Sequence, residues 1–199
     1  MVVLLTIFQF TITKEDKIAF YLSPMRIFLV GYMAVGKSTI GKKLAKALAL
    51  KFVDLDQLIE EQERRSIAEI FEKEGESSFR GAERNALLAA SELNNVVIST
   101  GGGTPCFYDN MSVMNTKGVT VYLEMDVMSI AYRLQHSKDP RPLIAGKSDE
   151  ELQSFVKFHL EERREFYEEA QISFNSLGFN PLKLEQLIDI IIEKANYSK

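Results

Sequence analysis

Gly31-Tyr32-Met33-Ala34-Val35-Gly36-Lys37-Ser38-Thr39 decides how the rest of this chain reads. It has the spacing G-x-x-x-x-G-K-[ST], in which each residue type has a separate physical job. Gly31 and Gly36 let the backbone turn tightly and leave room for main-chain N–H groups to point at phosphate oxygens. Lys37 brings a point charge to the outer phosphates. Ser38 opens a helix, so its hydroxyl can ligate Mg²⁺ while the helix N-terminus favours an anion. Ala34, Val35 and Thr39 complete the expected nucleotide cradle.

The flanks supply the context such a loop requires. Arg26-Ile-Phe-Leu-Val30 is an apolar run that reads as a buried parallel strand. Beyond the loop, Ile40, Leu44, Ala47 and Leu48 recur at helical spacing. Strand, glycine loop and helix succeed one another without a break.

With 199 residues the chain suits one domain with a full hydrophobic core. A net charge of −4 argues against a general nucleic-acid binder. The single cysteine, Cys106, leaves no internal disulfide and no cysteine-rich metal site, which fits a reducing cytoplasm. Nothing in the composition calls for an oligomer, so a monomer is expected. Val2 to Phe8 is apolar but too short to cross a bilayer, and no secretory leader is apparent. Residues 1–24 read as an N-terminal extension dispensable to the domain at 25–199, with Met25 as an alternative start.

Strands and helices then alternate. Lys51 to Asp56 reads as a short strand ending in two acids, and Gln57 to Arg65 as a helix. Ser66-Ile-Ala-Glu69 has the capping-box spacing that starts another helix, and Gly75 punctuates that helix. Glu76 to Glu92 reads as a longer helix with Phe79, Leu87 and Leu88 in the core. Asn95 to Thr100 is an apolar strand running into Gly101-Gly102-Gly103, and Gly118 to Leu123 is another, with a helix after it that Asp126 can cap. Ser148 to Glu151 repeats the capping-box spacing before a long charged helix. Gln171 to Phe174 reads as the last strand, and Leu184, Leu187, Ile188, Ile191 and Ile192 mark a C-terminal helix opening near Pro181. The fold class is α/β: three layers, a central parallel sheet of about five strands with helices on both faces.

In such sheets ligands bind beyond the carboxyl ends of the strands. That rule gathers the phosphate loop, Asp54 and Asp56, and the triple glycine at one edge. Two carboxylates at i and i+2 on an extended strand point the same way. There one can support a metal while the other takes a proton from an attacking hydroxyl; away from a nucleotide they would be solvated loop acids or a helix cap. A typical hydrolase of this loop type carries an acid at the end of a second apolar strand. Val96 to Thr100 ends in glycines instead, which leaves Asp54 as the available metal-supporting carboxylate. Arg80, Arg141 and Arg163 read singly as surface charges and gain function only by converging on a carboxylate or phosphates. Arg133, on the helix that Asp126 can cap, is within reach of a nucleotide base but reads first as a surface charge, and His136, His159 and Cys106 read as structural.

Several separated motifs in order resemble the shikimate kinase family, from Met25 to about Phe174. They are the 31–39 loop, Phe52-Val-Asp54-Leu-Asp56, Ser66-Ile-Ala-Glu-Ile-Phe71, Phe79-Arg80 with Glu83, Ser99-Thr-Gly-Gly-Gly103, Arg141-Pro142-Leu-Ile, and Arg163 four before Tyr167. The resemblance implies a P-loop kinase fold with a mobile lid at about 137–148. It implies transfer of a phosphoryl group from ATP, with Mg²⁺, to the 3-hydroxyl of shikimate in aromatic amino-acid biosynthesis. By the same resemblance Lys37 and Ser38 serve phosphates and metal, Asp54 the metal shell, and Asp56 the substrate hydroxyls as base. Arg80 and Arg163 hold the substrate carboxylate beside Gly101, Gly102 and Gly103; Glu83 orients an arginine, and Arg141 comes from the lid over the nucleotide. Residues 1–24 and the stretch Asn175 to Pro181 depart from the family pattern. A kinase for a sugar acid such as gluconate, or a nucleotide-binding regulatory module without catalysis, are the competing readings.

Overall fold

Five parallel strands form one sheet in the order β2-β3-β1-β4-β5. They are β1 (Arg26–Val30), β2 (Lys51–Asp54), β3 (Val96–Ser99), β4 (Val119–Glu124) and β5 (Ile172–Asn175). The structure is a computed structural model and describes residues 24–137 and 146–197. The expected extension up to residue 23 and most of the expected lid, Arg141 included, lie outside the described residues. Among the described residues seven α-helices connect or cover the strands: α1 (Lys37–Ala47), α2 (Leu55–Glu63), α3 (Ile67–Ser91), α4 (Asn110–Lys117), α5 (Val127–Gln135), α6 (Asp149–Glu168) and α7 (Pro181–Tyr197). No helix among the described residues is long and apolar enough to cross a membrane.

The three inner strands are apolar because helices bury both faces of them. Ile27, Phe28, Leu29 and Val30 of β1 are all buried, as are Val96, Val97 and Ile98 of β3. β1 pairs with β3 through Arg26↔Val96 to Leu29↔Ser99, and with β4 through Ile27↔Val119 to Val30↔Tyr122. The chain therefore leaves β1 at the centre of the sheet with β3 and β4 on either side. That is where strand order reverses and a crevice opens at the carboxyl ends.

Local signals set the helix ends. Ser66 Oγ accepts from Glu69 N–H at 3.2 Å while Glu69 returns a carboxylate oxygen to Ser66 N–H at 2.9 Å. Ser148 and Glu151 make the same reciprocal pair, and Asp126 accepts from Ser129 N–H at 2.8 Å. Gly75 interrupts α3 with φ 81°, a conformation that a side chain would strain, and so splits it into two straight pieces.

Two readings need correction, and one stretch holds elements that the sequence reading passed over. The strand over Lys51 to Asp56 stops at Asp54, and Asp56 lies in the first turn of α2. The cause is local: Asp54 is the N-cap, its Oδ1 accepting from Asp56 N–H at 3.2 Å, which turns the chain helical. The two carboxylates are thus joined by a capping turn, not by strand alternation. Leu88 belongs to the surface, 40% exposed, because α3 turns the Leu87 side to the core. The stretch after the triple glycine contains a 3₁₀ turn, Thr104–Cys106, and α4, neither of which shows a strong apolar period in the sequence.

Candidate active site

The cleft at the carboxyl ends of β1, β2 and β3 has a volume of about 430 Å³. Met33, Ala34, Gly36, Lys37, Ser38 and Thr39 line one side, and Asp54, Asp56, Ser99, Thr100, Gly101, Gly102 and Arg133 the rest. Gly31 sits deeper, with φ 135°, and a Cβ there would lie 2.8 Å from the Leu123 carbonyl oxygen. Gly36, at φ 102°, is the N-cap of α1. Val35 turns its side chain into the core, so only its backbone faces the loop's interior. Lys37 spans its own loop, Nζ donating to the carbonyls of Gly31 at 2.7 Å and Tyr32 at 2.8 Å. A buried ammonium held by two carbonyls keeps its charge at the loop while remaining able to exchange those partners for phosphate oxygens.

Ser38 Oγ donates to Asp54 Oδ2 at 2.6 Å and lies 3.3 Å from Ser99 Oγ. A hydroxyl and a carboxylate are hard oxygen donors, and one or two such ligands beside phosphates are what Mg²⁺ ordinarily takes from a protein. Among the described residues no cluster of three or more His, Cys, Asp or Glu side chains could hold a metal by itself. The donor set therefore fits an ion that arrives with its nucleotide. Asp56 is exposed to the cleft as a residue, while its carboxyl is crowded on one side by the Gly101 backbone and by Asp54. That desolvation, then the charge of Asp54 and more weakly those of Glu83 and Glu60, pushes its pKa up to about 6, against the opposing pull of Lys37.

The other half of the site is a polar knot around the triple glycine. A Cβ on Gly101 would meet Glu83 Oε1 at 2.9 Å, Thr104 Oγ1 at 3.0 Å and Asp56 Oδ1 at 3.1 Å, so only glycine admits this packing. Glu83, 1% exposed, accepts from Arg80 Nη1 at 2.7 Å and from Thr104 Oγ1 at 2.5 Å. Arg80 lies against Gly103, where a Cβ would come within 2.8 Å of Nη2. Arg163 projects from α6 over the Tyr32 ring, 5.6 Å from its centre, and its Nη1 would be 3.8 Å from a Cβ on Gly102. Tyr167, one turn further along α6, donates to the Gly102 carbonyl at 2.6 Å. Helices α3 and α6, far apart in sequence, thus aim one guanidinium each at the same glycine turn. Cys106 stands close enough to feel both; burial pushes its thiol up to about 11, against the lowering charges of Arg163 and Arg80, which leaves it un-ionised.

Arg133 corrects the expectation of a surface charge. It is half-buried, lines the cleft, and Nη1 donates to the carbonyls of Ala34 at 3.2 Å and Val35 at 3.4 Å. The sequence offered a reach toward the nucleotide only as the lesser alternative; that α5 packs beside the phosphate loop is a tertiary fact. Thr104 also escaped notice, since a hydroxyl in a glycine-rich turn carries no distinctive spacing; Ser99 entered only as part of the motif that runs into the triple glycine. His136 and His159 stay outside the cleft. His159 packs on Phe155 with ring centres 4.0 Å apart, and burial, then the charge of Arg163, lowers its pKa.

A doubly wound sheet with a phosphate loop at its switch point, a serine–aspartate pair and two arginines converging on a glycine turn alongside defines the class as a P-loop kinase of small molecules. The family model for shikimate kinase matches residues 33–194. A shikimate kinase of Parabacteroides distasonis is 49% identical over 151 residues, 76% of this chain and 87% of that one. The crystal structure of shikimate kinase from Bacteroides thetaiotaomicron superposes with a TM-score of 0.80 at 43% identity, covering 87% of this chain and 99% of that one. A shikimate kinase from Acinetobacter baumannii in complex with shikimate gives 0.73 at 32% identity, over 92% of this chain and 98% of that one. The chain belongs to the shikimate kinase family.

Proposed function

We propose that this chain transfers the γ-phosphoryl group of ATP to the 3-hydroxyl of shikimate, giving shikimate 3-phosphate and ADP. The observation that supports the reading best is the meeting of Arg80 and Arg163 at the glycine turn, next to Asp56 and across from Lys37. A carboxylated acceptor held by two guanidinium groups there has its hydroxyls toward Asp56 and its reacting oxygen toward the nucleotide loop. The acceptor oxygen forms the new bond to the γ-phosphorus, the bond to the β–γ bridging oxygen breaks, and the hydroxyl proton passes to an Asp56 carboxylate oxygen. With a pKa of about 6, that carboxylate is mostly ionised at neutral pH yet basic enough to take the proton as it is released.

Lys37 meets the charge that builds on the transferring group, and the loop amides hold the outer phosphates. Ser38 and Asp54 are the residues that would hold Mg²⁺, which when bound neutralises phosphate charge and orients the donor. Arg133 stands where the nucleotide enters, its guanidinium already fixed on the loop carbonyls. Arg141 is assigned to the lid over the nucleotide, excluding water that would otherwise hydrolyse ATP. The same reading carries a monomeric, cytoplasmic enzyme with small-molecule partners only, no nucleic acid and no membrane.

A coupled assay of ADP release with shikimate and, separately, gluconate tests this. Turnover with shikimate alone supports it. Turnover with gluconate alone would transfer the site to sugar acids, and ATP binding without any phosphorylated product would make the chain a regulatory module.

A further inference from the structure

The Arg80 guanidinium is held from both edges. Glu83 Oε2 accepts from Nη1 at 2.7 Å, while on the opposite edge Glu76 Oε1 accepts from Nε at 3.2 Å and from Nη2 at 3.1 Å. Its face rests on the Phe107 ring, 4.0 Å from the ring centre. A guanidinium has five N–H donors. Glu76 takes one from Nε and one from Nη2, and Glu83 takes one from Nη1, so a single N–H is left on each terminal nitrogen. Those two nitrogens are the atoms that lie against the bare backbone of Gly103.

Glu83 alone is a single-point hold, and a guanidinium pinned through Nη1 can still pivot. A second carboxylate on the Nε edge removes that freedom. Glu76 reaches the position because it comes directly after the Gly75 break, opening the second straight piece of α3 one turn before Arg80. An acid four residues N-terminal to a base is the favourable order on a helix, and an acid at a helix start is favoured as well. Exposed pairs of this spacing usually do little. This one differs in that Arg80 is only 13% exposed and faces the acceptor pocket, while Glu76, at 58%, meets solvent.

We infer that Glu76 is a positioning residue for the acceptor: it takes the Nε edge of Arg80 and so presents the two remaining terminal N–H groups to the substrate carboxylate. The inference rests on the reading of the pocket as a shikimate site. Steady-state kinetics of Glu76→Ala on the full chain, with shikimate and with its methyl ester, test it. The expected result is a rise of about two- to fivefold in KM for shikimate, the size an exposed charge pair supports. Both kcat and the KM for ATP stay unchanged, and the variant and unaltered protein are equal on the ester, which has no carboxylate to orient. An unchanged KM overturns the inference, a lowered KM replaces it with Glu76 as a competitor for Arg80, and an equal loss on the ester reduces Glu76 to general packing. Arg80→Ala run alongside separates the two levels. If Arg80→Ala raises the KM and Glu76→Ala does not, only the Glu76 inference falls. If the unaltered protein fails to turn over shikimate, the reading of the pocket falls with it.

Discussion

Asp56 carries two opposed demands on one carboxyl. The fold raises its pKa from 3.8 to about 6, so ionising it at neutral pH works against stability, while its proposed role as base needs the ionised form. The sign comes from linkage: a raised carboxyl stabilises the fold fully below pH 3.8 and loses that contribution as pH rises through about 6. Asp56→Asn is therefore expected to lower kcat by about 10²-fold or more, the range for removing a positioned base. The same variant melts higher than the unaltered protein at pH 7.5, by an amount reduced by solvent screening in the open cleft, and the gain disappears near pH 4. Calorimetry at the two pH values checks this; a melting temperature lowered at pH 7.5 would contradict it. In the unaltered protein turnover should fall as pH drops through about 6, where the base becomes protonated. Arg163→Ala removes one guanidinium from the proposed carboxylate pocket, and the KM for shikimate is expected to rise by about tenfold or more, as for a charge-assisted hydrogen bond, with the KM for ATP nearly constant. An unchanged KM for shikimate would remove Arg163 from the pocket.

Among the elements, β1 and β4 depend on a close approach that one glycine permits. A Cβ on Gly118 would stand 2.4 Å from the Arg26 carbonyl oxygen, a backbone atom that cannot rotate away. Gly118→Ala is expected to cost about 1–3 kcal/mol, the usual range for overpacking, read as a lower denaturant midpoint. Its effect on the cleft should be small, because the contact lies at the amino ends of β1 and β4. Much of the element layer was legible in the chain. The apolar runs of β1 and β3 and the reciprocal caps at Ser66 and Ser148 are local signals, and the elements stand where those signals put them. The β2–α2 junction was misread because Asp54 is both a strand residue and a cap, and β-propensity gives no weight to the hydrogen bond it makes to Asp56. Helix α4 was passed over because its buried residues, Asn110, Met111 and Met114, lack a continuous apolar face.

At the scale of the whole molecule, the site is a joint between two halves that meet only after folding. The loop follows β1, Asp54 ends β2 and Asp56 opens α2, the glycine turn follows β3, and the arginines come from α3, α5 and α6. Nucleotide binding should therefore stabilise the whole fold: at about 100 times its dissociation constant a ligand adds about 2.7 kcal/mol. MgATP is expected to raise the melting temperature of the unaltered protein and not that of Lys37→Ala. Treatment with a chelator is expected to abolish phosphoryl transfer, with full recovery on adding Mg²⁺; turnover that persists without a divalent ion would remove Ser38 and Asp54 from a metal role.

What the sequence alone determined is whatever neighbouring residues settle among themselves. The 31–39 loop, the alternation of buried strands with helices, and the capping pairs depend on spacings of a few residues, and their physics is complete within those spacings. The tertiary structure decided which side chains share a space. It brought Arg133 against the loop carbonyls, put Thr104 and Glu83 behind Gly101, and gave Arg80 a carboxylate on each edge. Hydrogen bonds and burial between residues tens of positions apart arise from how helices pack on the sheet, and periodicity along one helix says nothing about what stands opposite it.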